Sequence, residues 1–222
     1  MLVRSVMNPS VKFLLVLIIS IEIACKASLV TNLIVIIFCL FYLLIKKISL
    51  KDLILLIFVP LIGAFVVFAT LYWFSSTPDH YSAWVLSSRI YVYVLSIACV
   101  AHTTTSEELA RSLEQNLHLP SKFSYGVLAA LNIIPHMKMS VKQIRTAAMM
   151  RDVYLNFWSP MLYFKAILAA ISSAENLAQG MESHGYVEGA KRSVIVQIPI
   201  SKKDWLIFGL LLLLFNLCLF FL

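Results

Sequence analysis

The chain has 222 residues, of which 61% are hydrophobic and only 13% are charged. Soluble domains carry about a quarter charged residues, so this composition excludes an ordinary water-soluble fold and indicates a membrane protein. The net charge of +7 predicts a basic cytoplasmic side. It does not predict a nucleic-acid partner, because aromatic and basic residues do not interleave on a recognisable binding module.

Five apolar runs predict transmembrane helices. They cover residues 13–24, 27–45, 53–74, 83–101 and 205–222. A helix needs about 20 apolar residues to cross ~30 Å of hydrocarbon, so the first run is marginal. We expect the first two runs to form a hairpin that turns near Lys26, and a polar loop to follow the third run at residues 75–82. The sequence therefore predicts an all-α integral membrane protein with about five transmembrane helices.

The lysines and arginines predict the orientation in the membrane. Arg4 and Lys12 precede the first run, three lysines lie between the second and third, and the loop at 75–82 has none. The positive-inside rule then places the N-terminus and residues 102–203 in the cytoplasm. We expect a membrane domain at residues 1–101, a cytoplasmic helical domain at 102–203 and a last span at 204–222, in a multi-pass protein of the inner (plasma) membrane.

The cytoplasmic segment begins with signals for a short amphipathic helix. Ser106 is the predicted N-cap, and Glu107 and Glu108 in the first turn suit the helix dipole. Pro120 is expected to close this helix. Ser121 is expected to begin a second, mostly apolar helix that reaches residue 134.

Pro135 is expected to separate that apolar helix from a third one at residues 136–151. One face of the third helix is apolar at helical spacing, with Met137, Val141, Ile144 and Ala148. A basic stripe beside it, predicted to face water or lipid headgroups, consists of Lys138, Lys142 and Arg145.

A fourth helix is predicted from Ser159 to Gly185. Ser159 is the expected N-cap, Pro160 suits the first helical position, and Gly185 suits the position beyond the end. The helix is rich in Ala, Ser and Gly, which allow two helix backbones to approach closely.

The ends of the third and fourth helices carry a resemblance to a known family. The third ends in "RTAAMMRD", with Arg151, and the fourth in "AENLAQGMESHGY", with Glu182, His184 and Gly185. These segments resemble the two short Ala-Arg-Gly motifs of the T component of energy-coupling factor (ECF) transporters. "MNPSVKF" is similar to the N-terminal Asp-Pro-x-x-Lys pattern of the family. The resemblance continues through "TTTSEELARSLEQNLHLP" and "ALNIIPHM", in the family's order and spacing.

In the N-terminal pattern Pro9 and Lys12 match, and Asn8 replaces Asp. The helix ends depart further from the family. The first motif has Met150 in place of Ala and Asp152 in place of Gly, and the second has Ser183 and His184 in place of Ala and Arg. Of the two motif positions that hold Arg in the family, only Arg151 keeps a permanent cation, whereas a histidine is charged part of the time near pH 7. This difference is compatible with two unlike docking partners.

The resemblance implies a non-catalytic coupling subunit for import of a vitamin or a transition-metal ion. It implies two ABC-type ATPase subunits, which bind ATP and Mg²⁺, and a small substrate-binding membrane subunit, while this chain holds no cofactor. The residues expected to dock the ATPases are Ala148, Arg151, Asp152, Glu182, His184 and Gly185.

Several polar residues in the membrane part have predicted structural roles. Arg89 lies within the fourth apolar run, where an unpaired cation is costly, and Glu22 and Asp79 are candidate partners. Pro9 and Lys12 are expected to have structural roles in the membrane domain. The four cysteines have no paired spacing and lie in or beside apolar runs, so we expect neither disulfides nor a metal site.

Two other functions remain open on the sequence. Glu107, Glu108 and Arg111 resemble the paired-Glu motif of CAAX-type membrane proteases, although that motif has one more residue before its Arg. A stand-alone secondary transporter is the other alternative. Such proteins usually place polar residues or broken helices inside the membrane, and few of either are visible here.

Overall fold

A computed structural model describes residues 7–74, 80–187 and 197–221. These residues form eight helices and no strand, which confirms the all-α prediction. In chain order the helices are α1 (Pro9–Cys25), α2 (Leu29–Ile45), α3 (Leu50–Trp73), α4 (His80–Thr103), α5 (Ser106–Leu117), α6 (Ser121–Met149), α7 (Pro160–Ser183) and α8 (Lys202–Phe221). The chain divides into two compact units, one of Met1–Ser112 with Ile198–Leu222 and one of Leu113–Gln197.

The first unit packs α4 against α1, α2 and α3, and α8 against α1. Its apolar core is built by side chains that are almost fully buried, chiefly Ile23, Val35, Leu43, Val92, Leu95 and Phe215. Outward-facing positions of the same helices remain apolar and exposed, as on α3 at Phe58 and Ile62. A helix that is apolar on all sides is typical of a membrane span.

Three helices, α3, α4 and α8, are long and apolar enough to cross a membrane. The helices α1 and α2 have 17 residues each. At 1.5 Å per residue such a helix is about 25 Å long, somewhat less than the hydrocarbon thickness. Five spans therefore remain the prediction, of which three meet the length and composition of a span.

The structure corrects one boundary in this unit. The helix α4 begins at His80, so the last residues of the predicted polar loop at 75–82 are helical. Residues 75–79, including Asp79, lie outside the described residues.

In the second unit α6 is one continuous helix of 29 residues, with Pro135 inside it. The prediction that Pro135 separates two helices was therefore wrong. A proline removes one helical hydrogen bond and crowds the preceding turn, which costs about 3 kcal/mol. The helix nevertheless continues through Pro135, which is exposed.

The helices α6 and α7 pack as an antiparallel hairpin. At one end Ala148 of α6 packs against Leu162 of α7, together with Leu155 of the connecting loop. At the other end the ring of Tyr125, near the start of α6, lies 6.2 Å from that of Tyr186, just beyond α7. As predicted, α7 has Ser159 as its N-cap and Pro160 in its first turn.

Candidate functional site

The end of α6 is closed by two backbone hydrogen bonds around a left-handed residue. Asp152 has a φ of 56°. Its N–H donates to the carbonyl of Met149 at 3.1 Å, and the N–H of Val153 donates to that of Ala148 at 3.0 Å. This pair of bonds defines the Schellman motif, in which the left-handed residue is usually glycine.

The end of α7 is closed in the same way. Gly185 has a φ of 80°. Its N–H donates to the carbonyl of Glu182 at 2.9 Å, and the N–H of Tyr186 donates to that of Met181 at 2.9 Å. Two helices of unlike sequence therefore end in one backbone geometry.

The shared geometry places Arg151 and His184 in equivalent positions. Each directly precedes the left-handed residue of its Schellman motif, and each is exposed. The side chains of Asp152 and Glu182 are exposed as well. A cation at this position is favoured by the negative end of the helix dipole. We call these two exposed ends, residues 148–153 and 181–186, the α6 tip and the α7 tip.

Ala148 has a different place from the other predicted docking residues. Its side chain is only 6% exposed and packs against Leu155 and Leu162. Val141 and Ile144 contact the same cluster, so three of the four residues of the predicted apolar face pack together as expected. Ala148 is therefore the buried base of the α6 tip and does not lie on its surface.

Arg145 fixes the loop that follows the α6 tip. Its Nε donates to the carbonyl of Leu155 at 3.2 Å, and its guanidinium lies 5.4 Å from the centre of the Phe157 ring. The prediction that Arg145 faces water with Lys138 and Lys142 was therefore wrong, although the two lysines are exposed. The loop folds back over this position because Leu155 is buried in the apolar cluster.

The same loop and the end of α6 expose large apolar side chains that were not predicted from the sequence. Trp158 is 87% exposed, Met150 82% and Tyr154 80%. The signal was present in the aromatic-rich stretch "DVYLNFW" between two predicted helices. A contiguous group of exposed apolar side chains marks a surface that contacts a protein partner or lipid.

The acidic pair of α5 has structural partners. Glu107 forms an ion pair with Arg111 one turn later, at 2.9 Å. The carboxylate of Glu108 accepts from the N–H of Thr105 at 3.1 Å, and the Thr105 hydroxyl accepts from the N–H of Glu108 at 3.2 Å. Thr105 is therefore the capping residue, and the prediction of Ser106 was wrong by one position. The described residues contain no group of three or more His, Cys, Asp or Glu side chains that could hold a metal.

Comparison with known families agrees with the motif order. The sequence pattern of the CbiQ family, described as cobalt transport protein, matches residues 2–195. The chain belongs to the CbiQ family. This family is the T component family of ECF transporters, so the resemblance noted in the sequence is confirmed. A comparison with curated proteins finds no match. The chain is thus a membrane-embedded transport component.

The N-terminal pattern of this CbiQ-family chain joins distant parts of the first unit. Asn8 caps α1 by accepting from the N–H of Ser10, and it donates to the carbonyls of Ile198 and Pro199 at 3.1 and 3.2 Å. Pro9 occupies the first turn of α1. The buried Lys12 donates to the hydroxyl of Thr103, at the end of α4, at 3.0 Å. These contacts hold the start of α1 against α4 and the segment that leads into α8.

Among the described residues Arg89 bonds to a backbone carbonyl and not to Glu22, and the predicted pairing with Asp79 lies outside them. One of its terminal nitrogens donates to the carbonyl of Lys26, just beyond α1, at 3.3 Å. Glu22 instead accepts from the side-chain amide of Asn216 on α8, at 3.2 and 3.3 Å. The polar groups of this region therefore link neighbouring helices.

An apolar cavity of about 330 Å³ lies in the first unit, between α1, α2, α4 and α8. Its few polar side chains include Lys12, Tyr42 and Thr103 at the same end of these helices. Ligand sites usually combine an apolar lining with several convergent polar groups. Lys12 and Thr103 bond to each other at this end of the cavity.

Proposed function

We propose that this chain is the coupling subunit of an ATP-driven importer. Two ABC-type ATPase subunits dock at the α6 and α7 tips, and a small substrate-binding membrane subunit is moved in response. The observation that carries this proposal is the pair of equivalent tips, each presenting an exposed basic side chain on a closed helix end.

The hairpin separates the two tips. The α6 tip lies where α7 begins, as the packing of Ala148 on Leu162 requires, and the α7 tip lies at the other end of that helix. The 24 residues of α7 span about 36 Å at 1.5 Å per residue. A small domain is about 30 Å across, so two partner subunits have room to bind at once.

The chemistry of the tips suits docking to an acidic groove. The guanidinium of Arg151 offers a planar fork of donors, which pairs bidentately with a carboxylate. Two hydrogen bonds hold the backbone on either side of this fork, so little conformational freedom is lost on binding. His184 offers a smaller group with two ring nitrogens at the equivalent position.

In this mechanism the chain transmits motion and performs no chemistry. ATP and Mg²⁺ are bound by the ATPase subunits, whose closure shifts the two tips. The packed hairpin of α6 and α7 carries that displacement toward the membrane part. The N-terminus and the residues between α4 and α8 face the cytoplasm, and the membrane is the inner (plasma) membrane.

The cargo is a vitamin or a transition-metal ion. The family is described as a cobalt transport protein, so cobalt is the first ion to test. The substrate-binding subunit, and not this chain, selects the cargo.

Reconstitution of the complete complex in proteoliposomes tests the proposal. The wild-type chain should co-purify with two ATPase subunits and support ATP-dependent uptake of radioactive cobalt or of the vitamin that its substrate subunit binds. Arg151→Glu should release an ATPase subunit and stop uptake, whereas Lys138→Glu, an exposed cation away from the tips, should leave both unchanged. Full uptake by Arg151→Glu, or uptake by this chain alone, would contradict the proposal.

A further inference from the structure

We propose that the loop after the α6 tip is part of the docking surface for one ATPase subunit, with Tyr154 and Trp158 as its apolar anchors. This inference rests on the proposed function and extends it. It makes the two tips unequal, so that the α6 tip binds its ATPase more tightly than the α7 tip binds the other.

Contacts on its inner side hold this loop in place. Leu155 is buried beneath it, and Arg145 binds the Leu155 carbonyl and stacks on Phe157. The loop also closes on itself, because the N–H of Ser159 donates to the carbonyl of Asn156 at 3.0 Å. A loop with these contacts presents its outward side chains on a fixed frame, which lowers the entropic cost of binding.

The exposed face of the loop has the amino-acid composition of a protein interface. The outward side chains include Arg151, Tyr154 and Trp158, with Met150 beside them. Residues that dominate the binding energy of protein interfaces are enriched in Trp, Tyr and Arg, and methionine is enriched across interface cores. The loop therefore has the composition of an interface centre around the cation that the proposed function already assigns to an ATPase groove.

The charge on Asp152 favours a protein partner over the hydrocarbon of the bilayer. The charged side chain of Asp152 lies in the same exposed segment as Arg151. Insertion into lipid would remove water from this carboxylate, which is costly. A groove on a protein can pair Arg151 and leave Asp152 hydrated at the rim of the contact.

Within the described residues the α7 tip exposes no aromatic side chain to the extent of Tyr154 and Trp158, although the apolar Val187 beside it is exposed. Glu182, Ser183 and His184 are exposed there, and the aromatic residue of this end, Tyr186, packs against Tyr125. A polar surface of this kind forms weaker contacts, because hydrated polar groups gain little when they exchange water for a protein partner.

The test measures the affinity of the ATPase subunits for the full chain in nanodiscs with its substrate-binding subunit. Tyr154→Ala with Trp158→Ala should weaken ATPase binding at least about tenfold, and Tyr154→Phe with Trp158→Phe should restore most of it. The matched control is Ile167→Ala with Ile171→Ala, which removes two exposed apolar side chains from the middle of α7 and should leave ATPase affinity unchanged.

The outcomes separate this inference from the proposed function. If Arg151→Ala weakens ATPase binding and the double aromatic variant does not, the inference fails and the proposed function stands. If neither variant changes ATPase binding, both fail. Loss of the substrate-binding subunit in place of the ATPase would also overturn the inference.

A second measurement addresses the bilayer directly. A variant of the full chain in which Trp73, Trp84 and Trp205 are replaced by Phe leaves Trp158 as the single tryptophan. In nanodiscs without ATPases its fluorescence should resist quenching by brominated lipids. Strong quenching would show that lipid covers the loop, and the inference would be overturned.

Discussion

The two tips of the α6–α7 hairpin share a backbone and differ in their side chains. Both end in a Schellman motif, with the same hydrogen-bond pattern and a left-handed residue. The α6 tip presents a permanent cation beside exposed aromatic residues, and the α7 tip presents a histidine among polar residues. The comparison teaches that one backbone geometry can present two different sets of side chains.

The largest expected effect comes from reversing charge at each tip. Arg151→Glu should abolish ATP-driven uptake, because loss of a charged interface contact typically costs 2–5 kcal/mol and the reversal adds repulsion. His184→Glu should reduce uptake less, by roughly tenfold, since the group it replaces is a weaker partner. Uptake assays on proteoliposomes check both variants. An equal loss of uptake in the two variants would show that the difference between the side chains of the two tips does not affect function.

The next effect concerns the support beneath the α6 tip. Arg145→Ala removes a charge-assisted hydrogen bond to Leu155 and the stacking on Phe157, so the loop should open more readily by about 2–3 kcal/mol. Hydrogen exchange of the amides at residues 153–159 measures this opening. Lys142→Ala, on the exposed part of the same helix, is the control and should change nothing. Unaltered exchange in Arg145→Ala would mean that Leu155 alone holds the loop.

A smaller effect is expected at the α7 tip. Gly185→Ala should destabilise the helix end by about 1–2 kcal/mol, because alanine is strained at a φ of 80°. No neighbouring atom lies within 4 Å of an added Cβ there, so the cost is purely conformational. Gly180→Ala in the same helix also meets open space and should stabilise it by about 0.5–1 kcal/mol. Hydrogen exchange should therefore shift in opposite directions in the two variants, and a shared direction would refute the conformational explanation.

Much of this arrangement could be predicted from the sequence. Pro160 and Gly185 mark the start and end of α7 because their backbone preferences act locally. Arg151 and His184 were placed at helix ends by the order of the motifs, and both lie there. Apolar periodicity also identified the face of α6 that packs in the hairpin.

The errors arose where distant contacts override a local signal. A proline usually ends or kinks a helix, yet α6 continues through Pro135. Arg145 belongs to a basic stripe by spacing, yet it is covered because Leu155 brings the loop back over it. Glu22 and Arg89 have opposite charges, but each bonds to a group from a segment far away in the chain. The spacing of residues along a single helix does not reveal any of these partners.

The smallest effect is expected from a substitution at Asp152 that makes the two tips more alike. Asp152 holds a left-handed conformation that glycine adopts without strain, and its carboxylate lies near the negative end of the α6 dipole. Asp152→Gly should therefore stabilise the α6 tip by about 0.5–1 kcal/mol, seen as slower hydrogen exchange at Asp152 and Val153. Asp152→Asn keeps a side chain that tolerates this conformation and removes only the charge. Its change in stability should therefore report the electrostatic contribution alone. If both variants destabilise the tip, the carboxylate makes a favourable local contact that outweighs backbone strain, and the aspartate at this position is then a stabilising feature of this particular helix end.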